Sequence, residues 1–211
     1  MKKPRLLTTF LLVQLITLVA APRAAAEDNY GQIGFKLEWG YSQNYFTHHR
    51  YNITSVEGYR IHDKSTEIDF SANGRVLIGA HYDYNRHISL GLVTGYIGAQ
   101  EGVRAIPLLG QIRIYPYDCH QDGFFTKLEG GAAVHISRSN GSRMLLTGAI
   151  GEGFHLMLSP EHSLDLILSI SAFYDRPNIA NPEGAGYIPK ERVLSNHALY
   201  SALNISICLS F

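Results

Sequence analysis

The chain has 211 residues, room for one sizeable domain, with 18 basic and 18 acidic side chains and two cysteines. There is no basic stripe, which argues against a nucleic-acid partner. Beyond the first two dozen residues, no apolar run approaches the roughly 18 that a membrane-spanning helix needs. Mean hydropathy is close to zero. Soluble proteins and transmembrane barrels share that value, because a barrel strand is apolar only at every second residue.

At the front, Lys2, Lys3 and Arg5 precede an apolar stretch from Leu6 to Ala20, and Ala24-Ala25-Ala26 follows. A basic start, a short apolar core and a small-residue cleavage site predict a signal peptide over 1–26 and a single domain over 27–211. The first cysteine is Cys119, so no lipid anchor is expected. Cleavage removes Lys2, Lys3, Arg5 and Arg23 and no acid, leaving 14 basic against 18 acidic side chains in an exported, mildly acidic chain.

From Tyr30 onward the pattern alternates with period two, and no stretch shows a helical period. Eight segments are expected as strands. Gln32–Ser42 sets Ile33, Phe35, Leu37, Trp39 and Tyr41 against Gly34, Lys36, Glu38 and Gly40. Gly74–Tyr84 sets Val76, Ile78 and Tyr82 against Arg75, His81 and Asp83, and its alternation runs back to Thr66. Ile88–Gly98 carries Leu90, Leu92 and Tyr96; Ile106–Tyr115 sets Leu108, Ile112 and Ile114 against Gln111 and Arg113. Phe124–Ser137 opposes Leu128, Ala132, Val134 and Ile136 to Lys127, Glu129 and His135. Met144–Leu158 is irregular: Glu152 falls on the apolar parity between Gly151 and Gly153, which predicts a bulge there. The seventh segment sets Leu164, Leu166, Leu168, Ile170, Ala172 and Tyr174 against Asp165, Ser169, Ser171 and Asp175. The last, Leu199–Phe211, has a greasy odd face and a small, polar even face.

Short turns at Asn85–His87, Pro116–Asp122 and Ser159–His162 alternate with longer connections, the longest after Ser42 and from Arg176 to Val193. That is the plan of an up-and-down meander. Alternation by itself leaves open a soluble barrel, apolar inside, and a membrane barrel, apolar outside. Aromatics on the apolar parity favour the second. Trp39, Tyr41, Tyr96 and Tyr174 lie toward the long loops, and Tyr82, Tyr84, Phe124 and Phe211 toward the turns, as two membrane interfaces select.

Signal peptide, eight alternating segments and the closing N-I-S-I-C-L-S-F resemble the small eight-stranded outer-membrane β-barrel proteins of Gram-negative bacteria. G-Q-I-R-I-Y-P-Y and S-L-D-L-I-L-S-I-S-A-F-Y-D-R resemble barrels of the Bacteroidota. The resemblance implies an all-β, antiparallel transmembrane barrel in the outer membrane, contact with its lipids, and a terminal strand ending on Phe211 that the barrel-assembly machinery reads. It does not name a function.

Lys36, Glu38, His81, Asp83, Arg113, Lys127, Glu129, His135 and Asp165 are expected to form a polar network inside the lumen, which eight strands leave just wide enough to be filled by side chains. Trp39, Tyr41, Tyr82, Tyr96, Tyr174 and Phe211 are expected as membrane-interface anchors. His135-Ile136-Ser137 with Asn140 resembles the H-x-S pair of outer-membrane lipid A deacylases, but the nearest following acid is Glu152 and His135 shares the lumen parity of Lys127; a satisfied lumen histidine is the better reading. His48 and His49 are adjacent on an extended chain and point apart, so no metal is expected there. Export permits a Cys119–Cys208 bridge, yet the turn carrying Cys119 would have to fold across the mouth to reach the last strand. No cofactor and no catalytic residue is expected. The leading function is a non-enzymatic structural or surface-interaction role through the loops Asn44–Ser65 and Arg176–Val193, with an extracellular ligand as their partner. Passage of small hydrophobic molecules is the alternative, and lipid modification the third.

Overall fold

The computed structural model describes residues 30–68, 70–100, 103–136, 143–181, 184 and 186–211. The expected signal peptide, Ser137 and Asn140 lie outside these residues. Among these described residues, nine strands form one antiparallel sheet: β1 (Ile33–Thr54), β2 (Arg60–Glu67), β3 (Ala72–Asn85), β4 (Ile88–Gln100), β5 (Val103–Ile114), β6 (Gly123–His135), β7 (Met144–Ser159), β8 (His162–Asp175) and β9 (Val193–Ser210). From β3 to β9 each strand pairs with the next, and β9 pairs back onto β1, which closes the wall so that only the projecting β2 keeps an unpaired side.

Nine strands nevertheless make an eight-stave barrel. β3 pairs with the lower part of β1, from Ile33↔Tyr82 to Gln43↔Ala72. β2 pairs with the upper part, from Thr47↔Glu67 to Thr54↔Arg60. The two thus lie end to end along the same edge of β1. This corrects the expectation of a loop over Asn44–Ser65. β1 continues for 22 residues to Thr54, turns at residues 55–59, and returns as β2. β9 likewise begins at Val193, not Leu199, and follows β1 up to Ile53. A three-stranded platform of β2, β1 and β9 therefore rises beyond the rest of the wall.

The bulge expected at Glu152 is absent. The β6–β7 ladder runs unbroken from Gly123↔His155 to Val134↔Met144. Gly153 instead leaves room for the Phe125 ring, with which a side chain at that position would collide. Glu152 stays on the outward parity, where Thr126 Oγ1 donates to it at 3.0 Å.

Along β9 and at Phe211 just after it, Leu203, Ile205 and Phe211 are 40, 59 and 49% exposed, while Ala202, Asn204, Ser206 and Cys208 are at most 2% exposed. The same division holds around the wall: Ile78, Leu92, Leu108, Ile150, Leu168 and Ile170 stand outside, and Lys36, Glu38, Lys127 and Asp165 are buried inside. Water as the outer solvent would reverse both assignments. Hydrocarbon explains them, since strands closed into a barrel satisfy every backbone group internally.

Candidate functional site

The lumen is layered. Its centre is a charged plug. Arg75 on β3 spans two carboxylates, donating Nε–H to Glu38 Oε1 at 3.0 Å and Nη2–H to Glu129 Oε1 at 2.6 Å. Lys127 Nζ lies 2.9 Å from Glu38 Oε2 and 3.2 Å from Glu129 Oε2. Lys36 Nζ donates to Gln111 Oε1 at 3.1 Å, and Gln111 Nε2 passes a bond on to Glu129 at 3.0 Å. Ser206 Oγ donates to Glu38 at 3.1 Å. Gly91 makes this possible: a side chain there would meet the Lys36 ammonium. Beside this group, Arg113 Nη1 pairs with Asp165 at 2.6 Å, its guanidinium lies 5.1 Å from the Phe125 ring centroid, and His155 Nδ1 holds the other Asp165 oxygen at 2.6 Å. Each buried charge meets at least one opposite charge or dipole, which is the condition for burying it at all.

Above the plug the lumen changes character. Leu77, Val93, Ile97, Leu109, Ala133, Leu145, Phe173 and Tyr200 form a continuous buried apolar cluster. This corrects the expectation of a polar filling throughout. Period-two alternation assigns each strand one polar face, whereas the inward face turns apolar in its loop-side half.

His81 and Asp83 lie below the plug, with His81 Nε2 3.9 Å from Asp83 Oδ2. His135 is buried on the inward face near the loop end, opposite Ala105. Glu152 is on the lipid-facing parity, bonded from Thr126, so it does not orient His135. His48 and His49 do point apart, to Thr66 Oγ1 and Asn196 Oδ1, each at 2.8 Å. Trp39, Tyr41, Tyr82 and Phe211 are exposed on the outer wall; Tyr96 and Tyr174 are half-buried, and Tyr174 is bonded to His197. Near the turn end, Phe35 approaches Phe211 (ring centroids 6.4 Å apart) and Phe124 meets Phe154 edge-on at 4.9 Å. No Cys119–Cys208 bridge forms: both thiols are free and buried, and Arg113 Nη2 donates to Cys208 Sγ at 3.2 Å. Arg75, Gln111 and His155 belong to the network although they were not among its expected members. Parity alone places Arg75 and Gln111 inside; nothing in the spacing shows which carboxylates they reach.

On the outer platform, Ile179 and Ile188 from the 176–192 connection pack against Ile53, and Arg192 Nε donates to Thr54 O at 2.8 Å. The connection is stitched by an Ala180↔Tyr187 bridge. Beneath it opens a cleft of about 690 Å³ lined by Arg143, Arg176, Lys190, Asn196 and His197, among others, with no carboxylate among the described lining residues. At the opposite end, a cavity of about 280 Å³ opens at the inner mouth between His81, Asp83, Cys119, His120 and His155. The Asp83 carboxylate beside His120 raises that imidazole above its ordinary value. Burial, with Asp118, holds the Tyr30 phenol well above its own.

A closed antiparallel barrel with an aliphatic outer belt, aromatic borders and a charge-filled centre defines the class as a small transmembrane β-barrel. No protein-family model and no curated protein sequence matches the chain. Among solved structures it is similar to the outer membrane protein OprG from Pseudomonas aeruginosa (11% identity, 86% of this chain and 97% of that one, TM-score 0.46). It is also similar to the outer membrane protein AlkL in DMPC bilayers (12% identity, 90% and 94%, TM-score 0.43). A third is the N-terminal barrel domain of Pseudomonas aeruginosa OprF (13% identity, 86% and 99%, TM-score 0.40).

Proposed function

We propose that the chain is exported to the outer membrane by its first 26 residues, inserts there through the strand ending at Phe211, and serves as a non-enzymatic surface-interaction protein. Its outer platform engages an anionic partner. The observation that carries this reading is the platform cleft, where Arg143, Arg176, Lys190 and His197 converge without a carboxylate among the described lining residues. Arg143 is held by Asp175 at 2.9 Å, which leaves Arg176 and Lys190 as the groups to recognise phosphate, sulfate or carboxylate on a surface glycan. The charged plug, whose members are at most 9% exposed, supports a barrel that does not conduct ions or solutes straight through its centre. The test is binding of refolded protein to phosphorylated and to dephosphorylated lipopolysaccharide. The phosphorylated form should bind more tightly, and Arg176→Glu with Lys190→Glu should weaken it roughly tenfold, the factor that about 1.4 kcal/mol represents. Equal binding of both forms, unchanged by the double variant, sinks the reading.

One observation favours the passage of small apolar molecules as a second reading. Between Thr94↔Leu108 and Ile97↔Ala105 the β4–β5 ladder lapses, because Pro107 has no N–H to offer. Ile97 and Ala105, at the edge of this gap, line the apolar upper lumen. A lateral exit at that height would bypass the plug. Uptake of a small alkane that Pro107→Val abolishes would move this reading ahead of the first.

A further inference from the structure

The inner mouth carries a cluster that neither the plug nor the outer platform uses. The turn between β5 and β6 folds back against the end of β3. There Cys119 N donates to Arg86 O at 2.8 Å and Cys119 Sγ lies 3.7 Å from Asn85 O, which sets the sulfur beside Asp83. His120 Nε2 is 3.4 Å from Asp83 Oδ2. One donor atom each from Asp83, Cys119 and His120 lies within 4.8 Å of the other two. His81 Nε2 stands 3.9 Å from the same Asp83 oxygen.

We infer that this mouth binds a divalent transition cation of the Zn²⁺ type through Asp83 Oδ2, Cys119 Sγ and His120 Nε2, with His81 Nε2 or a water in the fourth position. Donors about 2.0–2.3 Å from a tetrahedral ion are roughly 3.3–3.8 Å from one another, so the cluster needs only a small contraction. Nitrogen, oxygen and sulfur together suit Zn²⁺ better than Mg²⁺ or Ca²⁺, which prefer oxygen alone. The orientation of His120 is built in. Its Nδ1 is 3.9 Å from Asp118 Oδ1, its backbone N–H donates to that oxygen at 2.9 Å, and Tyr30 OH donates to Asp118 Oδ2 at 2.6 Å. The Tyr30 ring stacks on the imidazole, with centroids 5.3 Å apart and planes 20° apart. Asp118 stands within ion-pair range of Nδ1, on the side from which a carboxylate usually supports a ligating histidine, and a shift of about 1 Å would bring the two to hydrogen-bond distance. Entry is open, since the cavity reaches solvent at the mouth and the His120 side chain is 33% exposed. Ion binding takes the proton from the Cys119 thiol and releases it to that solvent.

The experiment titrates Co²⁺ and then Zn²⁺ into untagged, reduced, refolded full-length mature protein in detergent, with a gel shift on heating as the check that each variant is folded. One Co²⁺ per chain is expected, with the absorption of tetrahedral cobalt and a sulfur-to-cobalt charge-transfer band that Zn²⁺ displaces. Cys119→Ser should remove the charge-transfer band. His120→Ala should lower affinity by a hundredfold or more, and Asp118→Asn, which keeps every donor, by roughly 10–100-fold. His48→Ala, at the other end of the molecule, should change nothing. Absence of stoichiometric Co²⁺ binding, or a spectrum unaltered in folded Cys119→Ser, overturns the inference.

Discussion

Ile205 and Ser206 are neighbours in the chain and face opposite solvents. Ile205 is 59% exposed on the outer wall, and Ser206 is buried against Glu38. Ile205→Lys should therefore cost about 2–4 kcal/mol, measured by urea unfolding in lipid vesicles, as a cation at mid-bilayer does. A silent Ile205→Lys would mean that this wall does not face lipid. Inside the plug the accounting differs, because each charge is held by others. Lys127→Met leaves Arg75 alone between Glu38 and Glu129 and should cost about 3–5 kcal/mol. Adding Glu129→Gln removes a stranded charge and should restore part of that loss, so the two changes will not add.

The strands divide into those that form the wall and those that leave it. β2 pairs only with the upper part of β1, and its Arg60, Asp63 and Lys64 are exposed. Trypsin added to intact cells should cut at Arg60 while the barrel keeps its folded mobility on a gel; an uncut protein in a membrane of verified orientation would place the hairpin inside. The β4–β5 ladder lapses between Thr94 and Ile97. Pro107→Val returns an N–H to the ladder, so amide exchange around residues 94–108 should slow. Unchanged exchange would show that the gap owes nothing to the proline. Both features escaped the sequence for the same physical reason. Alternation says which face a residue takes, and does not say where a strand leaves the membrane or which backbone groups find partners.

As a whole the molecule is a closed sheet with an apolar belt outside and a crosslinked charged plug inside, so unfolding it requires breaking many interstrand bonds together. Unheated samples should run ahead of boiled ones on a gel, and the mass of the unreduced, alkylated protein should show two free thiols. A single bridged species would mean that the β5–β6 turn reaches β9 after all. The fold class, the direction of the outward face and the inward parity of Lys36, Glu38, Arg113, Lys127, Glu129 and Asp165 were legible in the order of residues, because a period of two and the sign of hydropathy are local properties. The pairing of Arg75 with two carboxylates, the apolar upper lumen, the continuous β7 ladder around Glu152, and the meeting of Asp83 with Cys119 and His120 were not. The first two depend on which residues closure of the sheet brings face to face across the lumen, set by register and shear around the whole barrel; the other two depend on the register between adjacent strands and on the path of the β5–β6 turn. The alternation of residues thus determines which face meets lipid, and the closed sheet decides which inward side chains meet one another.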